Sequence, residues 1–139
     1  MRMANRMSIL LFSGTKDKLT SVATLSTGAV AMGMEVDIFL AYWGMNAFRK
    51  SMLGANNRFD KDFEDMSGTL AKNMQAKNIN WLENLKKAKA NGNVKIHVCS
   101  TVADLFEAKK EDFDPIVDDV IGIGGYIEQA KDAAITLYI

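Results

Sequence analysis

One cysteine, one proline and one histidine stand in a chain of 139 residues. A lone Cys excludes a disulfide framework and a cysteine-rich zinc site. A lone Pro excludes Pro-rich linkers. An excess of either charge is missing too: 17 Lys and Arg balance 17 Asp and Glu. No global field therefore draws in nucleic acid or anionic lipid, and no nucleic-acid partner is expected. Long apolar runs are also absent. Arg2 and Arg6 precede Ser8-Ile9-Leu10-Leu11-Phe12 and loosely imitate a signal peptide. That run breaks at Ser13-Gly14-Thr15, short of a typical apolar core of about 7–15 residues. The least polar stretch, Ser21 to Met34, is closed by Glu35 and Asp37. It falls short of the ~18 apolar residues of a spanning helix. No stable membrane insertion is expected, and a cytoplasmic location is.

What is present is a globular balance, 48% hydrophobic and 24% charged. The length suits one domain over residues 1–139 that buries a sizeable core without staples. Ser8 to Phe12 reads as a buried strand. From Asp17 to Met32, Leu19, Val22, Ala23, Ser26, Ala29 and Val30 recur at steps of three and four, the apolar face of a helix. Gly33 is its expected C-cap. Glu35 to Ala41 is nearly continuous in apolarity, as strands covered on both faces are. A helix follows from Trp43 to Met52.

Residues 51–78 differ in character. They hold Arg58-Phe59-Asp60-Lys61-Asp62-Phe63-Glu64-Asp65 with Met52, Met66 and Met74, and their periodicity is weak. Long segments of this kind serve as lids or contact surfaces, so a lid-like or interface insert is expected here. Asn80 with Glu83 then opens a helix that ends near Gly92. Val94 to Val98 is a third strand. Thr101 and Asp104 suggest a capping box and a helix from Val102 to Lys109. Asp114-Pro115 is a turn, Val117 to Ile123 a fourth strand, Gly124 to Asp132 a helix and Ala134 to Ile139 the last strand. Such alternation predicts an α/β fold, a three-layer α/β/α sandwich on a parallel sheet of about five strands.

Ligands of open parallel sheets bind beyond the carboxyl ends of the strands. Four turns lie there: Ser13-Gly14-Thr15, Tyr42-Trp43-Gly44, Cys99-Ser100-Thr101 and Gly122-Ile123-Gly124-Gly125. Cys99 stands between a strand and a helix start, where a thiolate nucleophile is favoured; the alternative is a small buried hydrophobe. His97 points to the same face as an auxiliary base or as a core histidine. Ser13, Gly14 and Thr15, with Lys16 and Lys18, suit an anion nest or a plain tight turn. Gly124 and Gly125 resemble half a dinucleotide fingerprint or mark close helix packing. Trp43 and Gly44 shape a pocket wall or the core. No metal-ligand cluster and no cofactor motif is seen.

Phe12-Ser13-Gly14-Thr15-Lys16-Asp17-Lys18-Leu19, Phe39-Leu40-Ala41-Tyr42-Trp43-Gly44-Met45, Cys99-Ser100-Thr101 with Leu105-Phe106, and Gly124-Gly125-Tyr126-Ile127-Glu128 occur in an order that resembles the DsrE/DsrF-like family, especially its DsrE2-like branch. The resemblance implies a three-layer sandwich, a homo-oligomer and sulfane-sulfur handling. It implies that Cys99 carries sulfur as a persulfide, exchanged with thiol-containing donor and acceptor proteins. Ser100 and Thr101 amides would steady the anion, and Gly14, Trp43 and Gly124 would shape the pocket. The alternative expectation is a non-catalytic oligomeric binding module, for a small anion or nucleotide.

Overall fold

The computed structural model describes residues 4–139; Met1, Arg2 and Met3, the start of the basic N-terminal run, lie outside the described residues. Strands β1 (Ala4–Leu11), β2 (Glu35–Leu40), β3 (Val94–Cys99), β4 (Asp119–Ile121) and β5 (Ala133–Tyr138) form one sheet. All pairings are parallel and the spatial order is β4-β3-β2-β1-β5. The helices are α1 (Lys16–Ala31), α2 (Tyr42–Ala47), α3 (Glu64–Ala76), α4 (Trp81–Asn91), α5 (Ser100–Leu105) and α6 (Ile123–Ala130). This is the expected three-layer α/β/α sandwich on five parallel strands. The chain winds outward from β1 to β4 and then crosses back past β1 to β5. Right-handed crossovers place α1 and α4 on one face and α6 on the other.

Register separates the two faces. Ile9, Ile38 and Ile96 align across the middle of the sheet, flanked by Leu11, Leu40 and Val98, and all six are fully buried. This apolar face packs on Leu19, Val22 and Ala23 of α1 and Leu85 and Ala88 of α4. Burying each such aliphatic side chain stabilises by about 1.5–3 kcal/mol, which makes this layer the main source of stability. The opposite face carries Ser8, Leu10, Asp37, Phe39, His97 and Cys99. Here Tyr126 of α6 stacks on Phe39 with ring centres 5.1 Å apart.

Several boundaries differ from the sequence expectation. β1 starts at Ala4, four residues before Ser8, because Arg6 is held inside the sheet by acidic partners. α2 stops at Ala47; Phe48 and Arg49 turn away to meet 113–114, where Asp114 N–H donates to Phe48 O at 2.9 Å. α5 begins at Ser100 and ends at Leu105, not 102–109. Glu107 takes φ +50 and Ala108 N–H closes back on Ala103 O at 2.8 Å, which ends the helix. Cys99 is the residue before its first turn, and Thr101 lies inside the helix without a capping role. β4 is only Asp119–Ile121, since Ile116 and Val117 bury as a loop after the Asp114 turn. The segment 51–78 contains α3, of which only Met74 is buried.

Other local readings agree. Asn80 Oδ1 accepts from Glu83 N–H at 3.1 Å, and Gly33 ends α1 at φ +77. No helix among the described residues is long and apolar enough to cross a membrane.

Candidate functional site

Two glycines hold the carboxyl edge of the sheet together. A Cβ on Gly14 would lie 2.3 Å from Trp43 O, and one on Gly44 would lie 2.3 Å from Leu11 O. The turns after β1 and β2 therefore touch backbone to backbone. Gly44 N–H donates to Phe12 O at 2.8 Å and Ala41 N–H to Leu11 O at 3.0 Å across that contact. Tyr42 enters α2 at φ +49, a conformation that costs a bulky residue about 1–3 kcal/mol and clusters at functional sites. Its ring packs on Phe12 at 4.9 Å, and Phe12 stacks in turn on Tyr138 at 6.1 Å.

A cavity of about 280 Å³ opens beside these turns. Ser13, Gly14, Thr15 and Trp43 line it, as do Asn46 and Arg58. The last two were not singled out in the sequence. Arg58 arrives from the 51–78 segment, which is pinned to the β1–α1 turn. Asn56 Nδ2 donates to Gly14 O at 2.8 Å, Lys16 N–H donates to Arg58 O at 2.7 Å, and Asp60 N–H donates to Asp17 at 3.3 Å. Asp17 has its carboxyl held low: burial pushes it up, and hydrogen bonds from Thr15, Asp60 and Lys18 outweigh that. The arrival of Arg58 at the cavity leaves no periodic signal; only its position between Asn56-Asn57 and Phe59 marks it.

Cys99 does not line this cavity. It is the last residue of β3, buried at 6% exposure, on the α6 face and level with Ile121 of β4. Ser100 is half-buried and Thr101 exposed at the start of α5. Gly122 faces Ser100 Oγ, with a Cβ placed 3.9 Å away, so the β4–α6 turn adjoins the cysteine turn. A Cβ on Gly125 would lie 3.1 Å from Ile121 Cδ1, whereas one on Gly124 would meet no side chain or neighbouring element within 4 Å among the described residues. Gly44 is buried within the first turn of α2. The two groups meet at Trp43, which walls the cavity and also packs edge-to-face on Phe106, just beyond α5, at 5.6 Å.

His97 shares the face of Cys99 and lies in a charge network that runs from buried Asp37 to exposed Asp119. Its Nε2 meets Asp37 Oδ1 at 3.1 Å and its Nδ1 bonds Asp119. A neutral imidazole donates through only one nitrogen, so two carboxylate partners call for the imidazolium. The hydrogen bond to Asp37 raises the His97 pKa; burial opposes it and Asp119 adds to it. Arg6 Nε completes the set at 3.2 Å from Asp37, while its Nη1 reaches Asp132 at 3.1 Å. Asp37 interrupts the apolar run from Val36 to Leu40, and that break was the available signal for a buried carboxylate needing a partner. Among the described residues no three His, Cys, Asp or Glu side chains gather as metal ligands.

The sequence pattern of the DsrE/DsrF/DrsH-like family matches residues 3–69 and 61–138, nearly the whole chain. The chain belongs to this family. Among curated relatives, it is 28% identical to the uncharacterized protein YrkE of Bacillus subtilis, over 96% of each chain. It is 25% identical to the sulfur carrier protein DsrE2 of Allochromatium vinosum, over 96% of this chain and 98% of that one. Two solved structures share the fold at a TM-score of 0.61. They are MTH1491 from Methanobacterium thermoautotrophicum, of unknown function, at 14% identity, and ychN from E. coli at 12%. The first match covers 96% of both chains, the second 96% of this chain and 99% of the other. In this DsrE-like chain the cysteine turn, the aromatic turn and the Gly14 turn thus occupy one edge of the family's sheet.

Proposed function

We propose that this DsrE-like protein takes part in sulfur relay and that Cys99 carries sulfane sulfur as a persulfide. The supporting observation is the placement of the chain's single cysteine at the carboxyl end of β3, in a family that includes a named sulfur carrier. Strand ends in parallel sheets are where ligands and reacting groups are presented.

The chemistry balances without a cofactor or redox partner. The Cys99 thiolate attacks the outer sulfur of a donor persulfide. A new Sγ–S bond forms, the donor S–S bond breaks, and the donor leaves as its thiolate. An acceptor thiolate then attacks the outer sulfur on Cys99, and the Cys99 thiolate is released. The sequence has no second cysteine to resolve the persulfide internally, so delivery runs to another molecule. The low exposure of Cys99 suits a cargo that must be shielded from small thiols until a partner docks.

Intact-mass measurement after incubation with a sulfane donor tests the reading. The wild-type chain should gain one reducible sulfur and Cys99→Ser none. An adduct of equal size on the Ser variant, or none on the wild type, rules out carriage at Cys99.

A second reading rests on the cavity at Gly14. Arg58, the Ser13 and Thr15 hydroxyls and Asn46 suit a small anion, with Trp43 as an apolar wall. Under that reading Cys99 is a packing residue and Arg58→Met abolishes anion binding while Cys99→Ser leaves it intact.

A further inference from the structure

The 51–78 segment presents a second feature that sulfur carriage does not use. Phe63, Met66 and Leu70 follow helical spacing along the start of α3, yet they are 61%, 63% and 45% exposed. A short helix usually gains its stability by burying such a stripe. Here the stripe, with Phe59, forms one wall of a groove of about 610 Å³ that faces away from the core. The charged residues that line the groove are acidic: Asp17, Asp60 and Asp65, with no Lys or Arg lining it among the described residues. Lys16 Nζ lies at its margin, 5.9 Å from the centre of the Phe59 ring. Lys18 reaches Asp60 at 3.6 Å, while Asp17 and Asp65 are in no salt bridge among the described residues.

We propose that this groove is a docking site for a basic amphipathic segment of another protein, a helix with apolar anchors flanked by Lys or Arg. The apolar floor supplies the anchor contacts and the carboxylate rim supplies the complementary charge. Phenylalanine and methionine form an adaptable floor for such anchors. A second copy of this chain is a poor occupant in a face-to-face arrangement, because the rims would set carboxylates against carboxylates. An anionic lipid surface is repelled for the same reason.

The groove also adjoins the cavity at Gly14. Phe59 and Asp60 line the groove, and their neighbour Arg58 lines the cavity. A docked segment would therefore lie against the backbone that positions Arg58. The inference does not depend on Cys99 and stands apart from the sulfur-relay reading.

The test is fluorescence anisotropy of the full chain with a labelled model helix of about 18 residues, built from Leu and Lys at helical spacing. Saturable binding that weakens with salt is expected. The exposed-site variants Asp65→Lys and Met66→Gln/Leu70→Gln should each weaken it about tenfold or more. Ile127→Gln on α6 and Cys99→Ser should leave it unchanged, and unchanged urea midpoints would show that the groove variants are folded. Any of four results overturns the proposal. They are no saturable binding, equal binding of a Leu/Glu helix, self-association that Met66→Gln/Leu70→Gln abolishes, and lecithin-vesicle binding abolished by that same variant. Persistence of binding in Cys99→Ser separates this inference from any failure of sulfur carriage.

Discussion

Replacing Gly44 by alanine adds one methyl group to one of the two close backbone contacts at the carboxyl edge of the sheet. The new Cβ would sit 2.3 Å from Leu11 O, 2.8 Å from Leu11 Cγ and 2.9 Å from Leu11 C. Leu11 cannot yield, because β1 is laddered to β2 on one side and β5 on the other. The alternative is for α2 to lift, which stretches Gly44 N–H to Phe12 O and Ala41 N–H to Leu11 O. Two such bonds contribute about 0.5–1.5 kcal/mol each, and overpacking by a methyl group adds about 1–3 kcal/mol. The expected loss is about 2–6 kcal/mol from a total stability of roughly 5–15 kcal/mol. At a urea slope of about 2 kcal/mol per molar, the unfolding midpoint falls by about 1–3 M. Gly28 provides the control. It is exposed within α1 and a Cβ there meets nothing within 4 Å. Gly28→Ala should gain about 0.5–1 kcal/mol from helix preference alone. Opposite signs from the same chemical change are the signature of the backbone contact. A Gly44→Ala midpoint within experimental error of wild type would refute it.

Two further predictions concern charge. The folded pKa of His97 is raised above 6.5 by Asp37 and Asp119 against burial, with Arg6 beside Asp37 on the neighbouring strand. Its contribution to stability is thus complete below the unfolded value near 6.5 and is lost as pH rises through the folded value. Urea midpoints followed from about pH 5.5 to 9 should decline in the wild type and flatten in His97→Gln; parallel curves would contradict the assignment. For Asp118, burial raises the carboxyl, and Lys89 with the Ile96 N–H outweighs it, so the net shift is downward. That contribution is present above about pH 3.9 and disappears as pH falls through the lower folded value. Lys89→Met should cost about 1 kcal/mol or less near neutrality and shrink the loss on acidification, read from acid-denaturation curves.

The features legible in the sequence were those that pack against the core. Leu19, Val22, Ala23 and Ser26 repeat with the helical period because one side of α1 faces the sheet, and Asn80 with Glu83 marked the start of α4 through a local cap. The turns at the carboxyl edge followed from strand order. α3 was not legible, since its stripe of Phe63, Met66 and Leu70 meets no core and only Met74 is buried. The first half of β1 was hidden because Arg6 reads as a surface residue until Asp37 and Asp132 are brought beside it. The cavity lining was half legible. Ser13, Gly14, Thr15 and Trp43 lie in strand-end turns, whereas Arg58 arrives through long-range backbone contacts that no local pattern encodes. The Ser8 and Ser26 hydroxyls are buried with no hydrogen-bond partner among the described residues, and nothing in the sequence or fold explains why they are polar.

The return of the chain to β5 has a consequence for synthesis. β1 is made before the other strands of the sheet, and its partner on one side, β5, is made after them, with Ala4 aligned to Ala133. At about 5–20 residues per second, that edge of β1 stays open for several seconds or more after its own translation. An open strand edge is a template for pairing with other chains. Arg6 lies on this strand, and a charged side chain on an open edge discourages such pairing. When Asp132 arrives with β5, the same arginine becomes an internal ion pair across the newly closed seam.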